Sequence, residues 1–182
     1  LARLLKEWVG NSGWVWKLHT RYRRLHLPGD VLSIWGRVVR KIALDNIGLV
    51  EIEAGIRNQR GEETSPAWAI VALPMAEGGQ VPLPFLPPAG YDASGPFKWP
   101  TPVDDPKYVT PEVGAFIGQQ TEEVEAADPI TSSELRRMAQ AVPDMDPLYW
   151  DAEYARRTRF QGITAMPLYP VDAFRQPPHL PD

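Results

Sequence analysis

The sequence predicts an α+β fold built on a curved antiparallel sheet, and three features lead there. Apolar residues alternate with a period of two over long stretches between Trp14 and Leu73. Short turn signals separate those stretches, and helical periodicity is confined to the segments outside them. At 182 residues the chain has the length of one ordinary domain or two very small ones. Its 43% hydrophobic and 23% charged residues allow a real core and exclude wholesale disorder.

The elements follow in order. LARLLKEW places Leu1, Leu4, Leu5 and Trp8 at helical spacing, and the Gly10–Gly13 run GNSG stops that helix. From Trp14 the period becomes two, so Trp14, Trp16, Leu18 and Tyr22 are expected on one face and Lys17, His19, Arg21 and Arg23 on the other. Leu27-Pro28-Gly29-Asp30 is a turn, and Leu32, Ile34, Val38 and Ile42 alternate along a second strand. Asp45-Asn46 turns into a third strand with Val50, Ile52, Ala54 and Ile56. After Asn58-Gln59-Arg60-Gly61 a fourth strand, Ala67 to Leu73, is apolar on both faces. Long strands joined by short turns predict a meander.

Ten of the 20 prolines lie between Pro74 and Pro111. Proline removes backbone donors and fixes φ, so this stretch reads as an extended connector over the surface, pinned by Phe85, Tyr91, Phe97 and Trp99. The expected organisation is therefore residues 1–73, a linker 74–111, and residues 112–182. The first part has a net charge of +4 and the remainder −8, so they attract. In the last part Val113 to Val124 reads as a strand, and Thr131-Ser-Ser-Glu134 as a capping box. Leu135, Met138, Ala139 and Val142 continue an amphipathic helix that Pro143 ends. Asp151 caps a second short helix through Tyr154 and Ala155, and Gln161-Gly162 turns into an apolar segment, Ile163 to Phe174.

Composition also excludes function classes. With no Cys there is no disulfide scaffold, thiolate metal site or Cys nucleophile. The three His (His19, His26 and His179) are too far apart for a zinc pair at helical spacing, so no metal is expected. A net charge of −4 argues against nucleic acid. No apolar run reaches the roughly 18–20 residues that span a bilayer, so no membrane partner and a cytoplasmic location are expected. Leu1 is not an initiator Met, so the natural start is expected to be processed, replaced or missing.

Residues 130–170 resemble the MaoC-like and FAS1-like dehydratases, a group of hotdog proteins. The family pattern is a helix, then GD-x-[DN]-P-x-[HY]-x-D, a Tyr-Ala pair, and Phe-x-Gly entering the central helix. Asp144, Asp146, Pro147, Tyr149, Asp151, Tyr154, Ala155, Phe160 and Gly162 match it in order. The first 74 residues resemble the strand-rich second half of the same family through Arg21, Tyr22, Pro28, Gly29, Asp30, Gly36, Gly61 and Val71-Ala72-Leu73-Pro74. The halves stand in inverted order. The resemblance thus implies a hotdog fold, a curved sheet around a central helix, circularly permuted so that Ile163–Arg175 and Leu1–Trp8 abut. The alternative is a piece of a tandem array that completes itself by swapping between chains.

The resemblance implies an acyl-thioester chemistry: the family adds water across an enoyl thioester with an Asp and, five residues later, a His. Here Asp144 holds the Asp position and Tyr149 the His position. A phenol with a pKa near ~10 is a poor base at neutral pH. Members with Tyr here are similar to non-catalytic halves that shape an acyl tunnel. Asp144 either caps the turn after Pro143 or helps activate water. Tyr149 and Trp150 pack the helix-entry loop or line the acyl slot.

Gly162 and Ile163 are the candidates for an oxyanion-type contact, glycine permitting close approach and the following amides opening a helix. Arg21, Arg23, Arg24, Arg156, Arg157 and Arg159 either meet the phosphates of coenzyme A or form salt links with the acidic second part. His19 is expected at a solvated or interface position. Trp14 and Trp16 are expected in a core stripe, and nothing in the sequence places Trp35 and Trp68. The implied ligand is an acyl-CoA or acyl-carrier thioester, with coenzyme A present only as part of the substrate and no other cofactor. The implied partner is a second copy or another hotdog subunit. Three readings stay open: a binding half, an active hydratase using Asp144, and a structural subunit with a closed slot.

Overall fold

Helix α1, Ala2–Val9, leads through Gly10, whose φ of 67° ends it, into strand β1, Trp14–Thr20. Strands β2 (Ser33–Leu44), β3 (Ile47–Arg57) and β4 (Glu63–Pro74) follow. The computed structural model describes residues 1–77, 79–96, 109–120, 129–167 and 169. The chain divides into two compact units, Leu1–Phe97 and Lys98–Asp182, so the start of the proline-rich segment belongs with the sheet. The protein is α+β: an antiparallel sheet with one helix across one face, followed by a helical second unit.

The sheet order is β1-β4-β3-β2, all pairs antiparallel. This corrects the expected meander. Strands β2, β3 and β4 are joined by two hairpins, but β1 lies beside β4, and residues 21–32 cross from one edge of the sheet to the other. Strand β4 becomes the second central strand and is buried on both faces, as its two-sided apolar sequence requires. The turns fall where the sequence placed them. Asp45 (φ 42°) sits in the β2–β3 hairpin, Gly61 (φ 77°) donates to the Asn58 carbonyl at 2.9 Å, and Asp30 donates to the Leu27 carbonyl at 3.0 Å.

One face packs on α1. Leu5 and Val9 meet Val50, Ile52, Ala54, Ala67, Ala69 and Val71, with Leu1, Val15, Leu18 and Leu73 at the margin. Trp8 is 52% exposed and does not join. The face assignment expected for β1 also fails. Its register slips between Val15 and Lys17, so Trp16 is unpaired in the ladder. Such a bulge inserts one extra residue and reverses the alternation beyond it. Trp16 therefore packs on the opposite face from Leu18. Helix α1 has 8 residues, about 12 Å of length, against roughly 36–40 Å for a twelve-residue strand. It covers only part of its face, and Ile34 and Val38 on β2 stay 48% and 40% exposed.

The other face is covered by the proline-rich segment. Val81 and Phe85 are buried against Leu49, Trp68, Ile70 and Ala72, with Trp16, Tyr91 and Ala93 around them. Phe85 and Tyr91 act as pins, as the sequence suggested; Phe97 and Trp99 lie outside the described residues. Trp68 belongs to this core, while Trp35 lies across Gly55 under the Arg57 guanidinium, 4.5 Å from its ring centroid. Trp14 is 37% exposed, so of the expected stripe only Trp16 is a core residue.

In the second unit, the expected strand Val113 to Val124 is not a strand at its start. Pro111–Gly114 is a short helix, α2, capped by the Thr110 hydroxyl, which accepts from the Val113 amide. Proline at the first helical position favours this outcome. Residues 121–124 lie outside the described set. Helix α3 (Ser132–Ala141), a 3₁₀ turn (Pro147–Tyr149) and helix α4 (Ala152–Arg157) follow among the described residues.

Candidate functional site

The site predicted from sequence lies between α3 and residue 163, and successive caps shape it. Thr131 and Glu134 form the capping box: the Thr131 hydroxyl accepts from the Glu134 amide and the Glu134 carboxylate from the Thr131 amide at 2.8 Å. That backbone bond holds the Glu134 carboxyl below its usual value. Leu135 and Ala139 face inward, while Val142 is 46% exposed. Pro143 lacks the amide that would continue the helix.

Asp144 is buried at 6% exposure. Its amide donates to the Ala139 carbonyl at 2.9 Å, and its carboxylate accepts from the Asp146 amide at 3.1 Å. Asp146 in turn accepts from the Leu148 amide at 2.9 Å, and Asp151 from the Glu153 and Tyr154 amides at 2.9 and 3.0 Å. Three aspartates in eight positions thus each fasten a turn. The capping function read for Asp144 from sequence is present in the geometry.

Tyr149 is 1% exposed, packed with Ala139, Met166 and Met138. Burial, reinforced by the negative charges of Asp144 and Asp146, pushes its phenol well above the usual value. The hydroxyl keeps its proton throughout the physiological range, so it can donate a hydrogen bond and cannot take a proton from water. Met166 as a part of this core was not singled out from sequence, since a lone Met carries no periodic signal.

The binding candidates occupy varied positions. Trp150 is 45% exposed beside the buried Tyr149. Arg157 is exposed at the end of α4 and paired with Glu153 one turn earlier. Arg159 is half-buried, its guanidinium 5.0 Å over the Phe160 ring, and desolvation lowers its pKa. The left-handed backbone position is Gln161 (φ 57°), not Gly162, where an added Cβ would meet nothing within 4 Å. The helix expected to open at Ile163 does not do so. Residues 163–167 are non-helical, and the Thr164 amide returns to the Leu148 carbonyl at 3.3 Å. Residues 168 and 170–175 lie outside the described set, as does His179.

The other candidates lie in the first unit. Arg21, Arg23 and Arg24 donate backbone amides to the Pro66 and Thr64 carbonyls, and Arg24 also pairs with Glu62 at 3.6 Å. His19 sits opposite Trp68 in the ladder, and His26 Nε2 is 2.6 Å from the Thr64 hydroxyl. That hydroxyl donates to the Ile56 carbonyl, so the imidazole is the donor to it. Among the described residues no group of three His, Asp or Glu side chains is arranged to hold a metal, and no helix is long and apolar enough to cross a membrane.

Residues 115–177 match the family described as the FAS1-like dehydratase domain region. No curated protein matches the chain. Among solved structures, a MaoC-like dehydratase aligns over 90% of this chain and 54% of its own, at 14% identity and a TM-score of 0.48. A putative MaoC domain protein dehydratase from Chloroflexus aurantiacus J-10-fl aligns over 85% and 46%, at 18% identity and 0.47. The R-hydratase PhaJ1 from Pseudomonas aeruginosa aligns over 46% and 51%, at 23% identity and 0.33. The chain spans about half the length of each of these structures.

Proposed function

We propose that the chain is an acyl-thioester-binding hotdog protein that does not hydrate its ligand, a reading supported by the match of residues 115–177 to the FAS1-like dehydratase domain region. The carrying observation is Tyr149. By the resemblance it stands for the family's base, and burial first, then the charges of Asp144 and Asp146, hold its proton on. Water activation needs a group that accepts a proton near neutral pH, and a phenol in this setting does not. Asp144 alone would have to serve, while its carboxylate already accepts from the Asp146 amide.

In this reading Trp150 offers an exposed ring to the ligand, and Arg157 and Arg159 offer forked donors to the phosphates of coenzyme A or of a carrier-bound thioester. Gly162 and Ile163 would approach the thioester by their backbone. The permuted arrangement, and a second hotdog subunit to complete the slot, belong to the same proposal. The rival reading, an active hydratase using Asp144, draws support from the burial of that carboxyl beside a phenol able to donate.

A thermal-shift titration with crotonyl-CoA tests the binding half of the proposal. Saturable stabilisation is expected, amounting to about 2.7 kcal/mol when the ligand is at a hundred times its dissociation constant. Arg157→Ala with Arg159→Ala should move the titration to higher ligand concentration. A flat response from the unaltered chain, together with no turnover, would leave the structural-subunit reading or a slot that lacks its second subunit.

A further inference from the structure

The sheet face opposite α1 is covered by a segment that adds no strand to the sheet. Residues 81–95 carry Pro82, Pro84, Pro87 and Pro88, which remove the amides a ladder would need. The strap is held instead by a few separate contacts. The Val81 amide donates to the Ser12 carbonyl at 2.8 Å, and the Phe85 ring meets Trp16 edge-on at 5.8 Å between centroids. Two polar anchors complete it: the Tyr91 hydroxyl donates to Glu51 at 2.8 Å, and the Lys17 ammonium donates to the Ala93 carbonyl at 2.6 Å. Gly95, at φ 66°, lies so close that an added Cβ would stand 2.7 Å from the Trp68 ring.

Beneath the strap is a broad apolar surface, with Trp16, Ile42, Leu49, Trp68 and Ile70 on one face. Bared, it would rank with the contiguous apolar patches that mark association sites rather than free surface. Its two polar anchors have opposite charge and a simple relation. Lys17 on β1 and Glu51 on β3 both stand opposite Ile70 of β4, one on each side. Neighbouring strands lie ~4.8 Å apart and packed sheets ~10 Å apart. A two-fold axis along β4, above Ile70, therefore sets each copy's Lys17 over the other copy's Glu51.

We infer that the strap occupies a sheet-packing surface, and that the occupant it displaces is the same face of a second copy of this chain. With the strap down, its carbonyl and phenol bind Lys17 and Glu51, Glu51 also pairing with Arg40 of β2 at 3.4 Å, and its apolar pins replace the partner sheet. With the strap lifted, the face closes on its symmetry mate through the same two charges. This inference does not rest on the acyl-thioester reading.

The test uses the full chain with Gly95→Val, which pushes a side chain into Trp68. Phe85→Ser with Tyr91→Phe serves as a second, independent way to release the strap. Lifting is read by increased acrylamide quenching of tryptophan and by protease cleavage within 82–94. The mass in sedimentation velocity should then double relative to the unaltered chain at equal concentration. Adding Lys17→Glu should abolish the doubling, and Lys17→Glu with Glu51→Lys should restore it. A lifted strap with the parent's mass would overturn the inference, as would association indifferent to the charge swap. Failure of both variants to loosen the strap would show that these contacts do not hold it, and the inference would fall.

Discussion

Each of the two units is held together internally by its own kind of interaction. The sheet unit rests on apolar burial: β4 is covered on one face by α1 and on the other by the strap, and Ile70 and Val71 are both fully buried. Among its described residues the second unit has helices of 4, 10 and 6 residues, too short to persist by propensity. Polar caps from Thr110, Thr131, Asp144, Asp146 and Asp151 define its turns. The lesson concerns Asp144. The one carboxylate read from sequence as a catalytic candidate also fastens the backbone, so its presence alone says little about chemistry.

The largest expected effect is in the sheet. Trp68→Ala should destabilise the first unit by about 3–5 kcal/mol, read from urea denaturation followed by circular dichroism. A loss under about 1 kcal/mol would mean that the strap face contributes little. In the second unit Asp151→Ala removes an acceptor for two amides and should cost about 0.5–2 kcal/mol. Hydrogen exchange at Glu153 and Tyr154 should accelerate without change in the sheet amides. Exchange that rises equally in both units would erase the contrast between them.

Two smaller effects depend on pH. Tyr149 has a folded pKa above its unfolded value of roughly 10. Its contribution is thus fully present below pH ~10 and is lost as pH rises through the folded value. Absorbance titration should show both Tyr149 and Tyr91 ionising late, Tyr91 through burial and its bond to Glu51, and Tyr149→Phe should remove one of these late ionisations. Glu134 and Asp30 have folded pKa values below their unfolded ones, each through a backbone amide first. Their contribution is present above the unfolded carboxylate range of ~4 and is lost as pH falls through the folded values. Glu134→Gln and Asp30→Asn should each flatten the acid limb of the melting temperature against pH.

The strands, their turns and the caps at Thr131 and Asp151 were legible because each is a local signal. What failed was non-local. The position of β1 beside β4 depends on which edge the 21–32 segment reaches, and period-two patterning does not encode that. The bulge at Trp16 reverses the face of Leu18, and a sequence of alternating apolar residues looks the same either way. At Pro111–Gly114 a cap and a helix-starting proline outweighed apolar residues that read as a strand. In the site, the capping reading of Asp144 and the interior packing of Tyr149 could be anticipated from residue type. The non-helical path of 163–167 could not, because Gly162 signals permission for a turn and not its conformation.

If a buried, protonated Tyr149 leaves Asp144 unable to activate water, a bound enoyl thioester keeps its double bond. Following the enoyl-thioester absorbance of crotonyl-CoA with the purified chain measures this directly. No loss of absorbance is expected at ligand concentrations that saturate the thermal shift. Steady hydration by the unaltered chain, abolished in Asp144→Asn while binding persists, would contradict it.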